Sequence, residues 1–251
     1  MTEHEWLLST DPQAMFRYLL ADHAAKTPPR LARHPRVSDR KLRLFACACC
    51  RQVWPAMTDS RSRQTVEIAE RFAEGLASEQ ELATAWVAAW NVAEVTAGVA
   101  ARAVAEAAAE ASASRGASRD PSRDASRARA LAASKQAPLL RDIVGNPFRP
   151  LHINSAWLTW SDRIIPRLAQ VAYDDRHDDG TLDAVRLAVL ADALEEAGCD
   201  NADILSHLRQ PQNGIPLREA VPGKCWTVEI DNPWGPHVRG CWVLDLLLGK
   251  E

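Results

Sequence analysis

Apolar positions recur along this chain at helical spacing, and the breaks between periodic stretches carry helix caps. Asp11-Pro12 pairs an N-cap with proline at the first helical position, and Met15, Leu19 and Leu20 follow on the helical period. Residues 26–37 hold three prolines and read as a loop. Ser38-Asp39 then opens a helix through SDRKLRLFACACCRQVW, with Leu42, Phe45, Cys49 and Val53 predicted on its apolar face and Pro55 closing it. Thr58-Asp59-Ser60 caps the next helix, which should turn Val66, Ala69, Phe72 and Ala73 inward and stop at Gly75. Ser78 and Glu81 form a capping box, and the Ala-rich run beyond them predicts a long helix with Trp86 and Trp90 one turn apart.

Ser-Arg recurs every four residues across 112–127, interrupted by Gly116 and Pro121, which reads as a solvated hairpin tip or linker. Helix resumes up to Gly145, so the stretch 79–144 is expected to be an antiparallel Ala-rich hairpin. NPFRP is an extended connector. A helix follows with Pro166 near its start and Leu168, Val171 and Ala172 inward. After the polar loop DDRHDDG, the run TLDAVRLAVLADALEEAGCD predicts an amphipathic helix with Leu187, Leu190, Ala191 and Leu194 on one face. ADILSHLR is a short helix, residues 210–236 an irregular insertion with a β-like run from Cys225 to Ile230, and HVRGCWVLDLLLGKE a buried terminal helix. The predicted fold is mainly α, a multi-helix array or bundle. Its N-terminal part spans 1–111, the tip 112–127 and the C-terminal part 128–251, the two parts sharing a core.

Composition excludes some function classes. Apolar residues at 47% and charged residues at 25% are the balance of a globular chain rather than a disordered one. A formal charge of −3 gives no overall attraction to nucleic acid or to anionic lipid. No segment has the roughly 20 unbroken apolar residues of a membrane span, and MTEHEWLLSTDPQ lacks the features of a secretion signal. The expected location is cytoplasmic, where the six cysteines would stay reduced.

The strings SDRKLRLFACACCR, LLRDIVGNPFRP, LADALEEAGC and HVRGCWVLDLLLGK, taken in order, resemble a family of uncharacterised bacterial proteins present as many paralogues per genome. Some members bear the label cell-wall-assembly regulator-like, which no residue of this chain supports. The resemblance spans most of the chain and implies a helical architecture, but no reaction and no catalytic residues. This chain departs from the family pattern between ILSHLR and HVRGCW, where roughly 27 residues replace a short connection.

The sharpest candidate chemistry is a thiol–imidazole set. Cys47 and Cys50 stand three apart in one predicted helix, and His237 and Cys241 four apart in the last one. Four such ligands would suit tetrahedral zinc, with Cys199 and His207 as substitutes. Against this, a CxxC within a regular helix lacks the tight turn of a zinc knuckle, and free cysteines commonly fill core space. A nucleophilic Cys50, beside Arg51 and served by His207 or His237, is a further alternative. The carboxylates and His177 of DDRHDDG lack the ligand spacing of an EF-hand and read as a charged turn.

Basic residues concentrate at Arg30, Arg33, Arg36, Arg40, Lys41, Arg43 and Arg51, which raises nucleic-acid binding through residues 30–51. No recognition motif accompanies them. Trp226 and Trp234, in the insertion, are candidate anchors for a protein partner. No phosphate-binding, dinucleotide, nucleophile-elbow or metalloprotease string is present. The sequence thus favours a non-enzymatic interaction or regulatory module with no cofactor. A zinc- or thiol-dependent protein built on Cys47, Cys50, His237 and Cys241 is the first alternative, and a nucleic-acid binder the second.

Overall fold

A computed structural model describes residues 1–20, 37–90, 135–210 and 235–250. Among them the chain is mainly α-helical and has no sheet, only two isolated bridges. The helices are α1 (Glu3–Leu8), α2 (Pro12–Leu20), α3 (Asp39–Gln52), α4 (Ser60–Ala73), α5 (Glu79–Trp90), α6 (residues 135–144), α7 (Ser155–Asp174), α8 (Ala184–Glu196), α9 (Ala202–Leu208) and α10 (Trp242–Leu248). No described helix is long and apolar enough to cross a membrane. The Ser-Arg tip, the middle of the Ala-rich hairpin, and the insertion with its β-like run, Trp226 and Trp234, all lie outside the described residues.

The predicted caps account for where the helices start. Asp11 accepts from the Gln13 and Ala14 amides, Ser38 from Lys41, Asp59 from Arg61 and Ser62, and Ser78 and Glu81 exchange their bonds reciprocally. Three apolar faces are turned from the expected position, that of α7 because Val171 is 47% exposed while Ile165, Ala169, Ala172 and Tyr173 are buried. In α3 the buried stripe is Leu44, Phe45, Cys47, Ala48 and Arg51, and in α4 it is Ser62, Val66, Glu70 and Ala73. For α3 and α4 the cause is a charge pair. Arg51 donates through Nε and Nη2 to the two oxygens of Glu70, at 3.0 and 2.9 Å, and stacks 3.9 Å over Trp54. A hydropathy pattern assigns both of these charged residues to solvent.

The chain divides into two compact units, one of residue 1 with 9–137 and the other of 2–8 with 138–251. In the first, α3 packs on α4 and α4 on α5. In the second, α7 packs on α8 and α10, and α9 on α8, around Ile165, Leu187, Leu190, Leu194, Val243 and Leu244. The predicted inward face of α8 is buried in full. Helix α7 is broken at Trp160–Arg163, where Ser161, Asp162 and Arg163 take φ of 46°, 56° and 62°. Pro166 therefore stands in the first turn of a new helical segment, where a missing amide costs nothing.

Candidate metal centre

Helix α6 carries LLRDIVG, and its residues Leu139, Leu140, Arg141, Asp142 and Ile143 are all buried. Arg141 donates to the Trp6 carbonyl, and the Trp6 indole donates to the carbonyl of Gly145. Gly145 ends the helix at φ 75°, with the space of a Cβ filled by the Trp242 ring 3.0 Å away. These contacts fix α6 so that Asp142 points inward, with no exposed surface.

Three further side chains meet Asp142. His207 comes from the last turn of α9, whose start is capped by Asn201. His237 comes from the turn before α10; its carbonyl accepts from the Leu182 amide, and Val238 bridges to Thr181. Cys241 is the N-cap residue of α10. His237 and Cys241 were expected on one face of a terminal helix, but helix begins only at Trp242, and they are aligned by the turn at Gly240 (φ 94°).

The distances describe a convergent set. His237 Nδ1 lies 2.7 Å and His207 Nε2 3.2 Å from the same oxygen of Asp142. Cys241 Sγ lies 3.3 Å from His207 Nε2 and 3.9 Å from His237 Nδ1. One ligand atom from each of the four residues lies within 4.8 Å of every other. The second Asp142 oxygen accepts from the Val238 amide at 2.9 Å, which fixes the carboxylate plane. The imidazoles meet edge to face, centroids 4.5 Å apart. All four residues are 1% exposed or less.

Electrostatics fits the donor set. Burial opposes the Asp142 charge, but His237 and His207 outweigh it and hold the carboxyl down at about 2. Burial pushes His207 down to about 4 against the pull of Asp142, so its ring is neutral at pH 7. Burial, with the Asp142 charge beside it, pushes the Cys241 thiol well up. Without a metal, Asp142 is therefore a carboxylate, His207 a neutral imidazole and Cys241 a protonated thiol, whose proton a bound cation would displace.

A catalytic triad is a different arrangement. Its histidine faces the nucleophile with one ring nitrogen and the acid with the other. Here each ring turns a single nitrogen toward both Asp142 and Cys241. Four ligands at zinc bond lengths would stand about 3.3–3.6 Å apart in a tetrahedron, and the four measured separations straddle that value. The set lacks an outer hydrogen bond on His237, whose Nε2 is buried with no partner among the described residues.

The expected four-residue set is thus divided. His237 and Cys241 belong to the cluster, His207 joins them as the considered substitute, and Cys199 does not, lying buried after α8. Cys47 and Cys50 belong to the first unit, where Cys47 packs with Met57 and Val66 and donates to the Val66 carbonyl. The nucleophilic reading set Cys50 beside His207 or His237, which belong to the second unit. Burial, then Glu70, raises the Cys50 thiol, and Arg51 is committed to Glu70 rather than lowering it. The DDRHDDG carboxylates join no metal-ligand group among the described residues; Asp175 pairs with Arg186, and Asp179 caps Thr181. Arg40 pairs with Glu74, Arg51 with Glu70, and Arg43 lies over Phe72, so these members of the basic region are engaged within their unit.

Asp142 escaped the sequence reading. The available signal was an Arg-Asp pair inside an otherwise apolar helical turn directly before a terminating glycine. Comparisons with protein-family models, with curated proteins and with solved structures each return no match to this chain.

Proposed function

We propose that the chain is a zinc-binding helical protein in which Asp142, His207, His237 and Cys241 hold one structural ion. The observation carrying this is convergence: four donors from three separate segments aim their ligand atoms at one buried point. Because a metal-bound imidazole is a neutral ligand, Asp⁻ and Cys⁻ would balance a divalent cation, and a mixed N, O and S set suits zinc. Four protein ligands leave no open position for water or substrate, and the burial of all four denies access, so the ion acts as a fastener rather than a catalyst. It ties α6, α9 and the turn before α10 together. The rest of the chain then works as a helical interaction scaffold rather than as an enzyme.

The test is metal analysis of protein prepared without a histidine tag. One zinc per chain is expected, with cobalt(II) substitution giving tetrahedral d–d bands and a thiolate charge-transfer band. Cys241→Ser, His237→Ala and Asp142→Asn should each lose the ion, while Cys47→Ser and Cys50→Ser retain it. Because such variants can unfold, the unmodified protein is also tested: chelation should lower its Tm, and zinc should restore it. Failure of folded, chelated protein to take up zinc, or full uptake by Cys241→Ser, would overturn the reading.

A further inference from the structure

Helix α1 has six residues, of which Trp6 is the buried one. A helix this short has little stability of its own, and an element with few buried apolar contacts opens locally at low cost. Its seat is α6 and the connection that follows. The Trp6 indole donates to the Gly145 carbonyl at 3.1 Å, and the Arg141 guanidinium donates to the Trp6 carbonyl at 3.2 Å. Glu3 accepts from Asn146 at 2.7 Å and pairs with Arg149 at 2.6 Å.

These contacts bracket the metal centre. Arg141 immediately precedes Asp142 and Gly145 follows it by three residues, so Trp6 grips α6 on both sides of a proposed ligand. Gly145 in turn abuts the Trp242 ring. Trp242 follows Cys241 in the chain, and its ring lies 5.1 Å from that of His207. The seat of α1 is thereby joined to Asp142, Cys241 and His207 through one or two contacts. Seating also works against a charge. Arg141 is 1% exposed, and burial pulls its guanidinium down to about 10, so water would solvate it better than the docked state does.

We infer that α1 is a latch on the metal centre: the local opening that lets the ion enter or leave is the undocking of α1 from α6, not the unfolding of the unit. This rests on the zinc reading above. Trp6 and Glu3 are positioning residues, which act on the site through α6.

The experiment follows zinc transfer from the loaded full chain to excess chromogenic chelator. Trp6→Ala should speed release about a hundredfold or more, as expected for truncating a fully buried aromatic residue. Glu3→Ala, which removes partly exposed contacts, should speed it about threefold. Leu187→Val is the control, because Leu187 belongs to a core cluster that does not contain Trp6. It should lower the Tm at least as far as Glu3→Ala and leave the release rate unchanged. A synthetic peptide of residues 2–9 should restore slow release to Trp6→Ala saturably, and the same peptide with alanine in place of Trp6 should not. If Trp6→Ala does not fold, Glu3→Ala against Leu187→Val decides. Release that tracks Tm across the variants, or that ignores the changes at Trp6 and Glu3, overturns the latch while leaving the metal centre intact. An unmodified chain that takes up no zinc overturns the metal reading, and the latch with it.

Discussion

Arg51 and Glu70 lie 7% and 3% exposed, and at this scale the first unit depends on a charge being matched rather than merely buried. Removing one partner strands the other in a low-dielectric setting. Glu70→Ala should therefore cost about 3–5 kcal/mol, measured by urea unfolding. The double replacement Arg51→Met, Glu70→Leu should recover most of that loss, since it removes both desolvation costs together. The same two residues show why the burial pattern of α3 and α4 was only partly legible. Periodicity weighs each residue by its own polarity, whereas the fold weighs the pair. The candidate site shows the same divide. His237 and Cys241 drew attention because imidazole and thiol are rare and chemically loud, and His207 did so more faintly. Asp142 is one of 33 acids in the chain, and nothing but its apolar neighbours Leu140 and Ile143 marked it out.

Among elements, caps were the most legible feature because they are local: a Ser, Asp or Asn reaches amides only two or three residues away. Asn201 is such a cap, accepting from Asp203 at 3.0 Å and Ile204 at 3.1 Å. It matters here because α9 has only seven residues and delivers His207 from its last turn. Asn201→Ala should cost about 1 kcal/mol by thermal or chemical unfolding. It should also weaken zinc binding, as read by competition with a chromogenic chelator. The break in α7 was less legible. Pro166 marked the start of its second half, but the three left-handed residues 161–163 have no glycine or asparagine among them to announce the turn. Likewise the turn that brings His237 and Cys241 together was expected to be helix, because VRGCWVL satisfies a helical period until Gly240 takes its positive φ.

For the molecule as a whole, a mainly helical composition was readable from periodicity. The division into units was not. Residues 2–8 group with 138–251 because Trp6 bonds across to Gly145, a contact separated by most of the chain length and invisible to local pattern. The four residues of the proposed metal centre are similarly distributed over the second unit, from α6 to the start of α10. Chelation should accordingly speed amide exchange in α6, α9 and α10 together, followed by hydrogen–deuterium exchange with and without zinc. Protection unchanged in all three would mean that the cluster fastens nothing. The enclosure of the four ligands also has a kinetic consequence. An ion held among four side chains that are 1% exposed or less would leave only when the surrounding helices part, so its residence time would be set by the opening rate of the unit rather than by bond strength alone. Such a site equilibrates too slowly to report changes in free zinc, and a chain that acquired its ion while folding would keep it as a lasting record of that event.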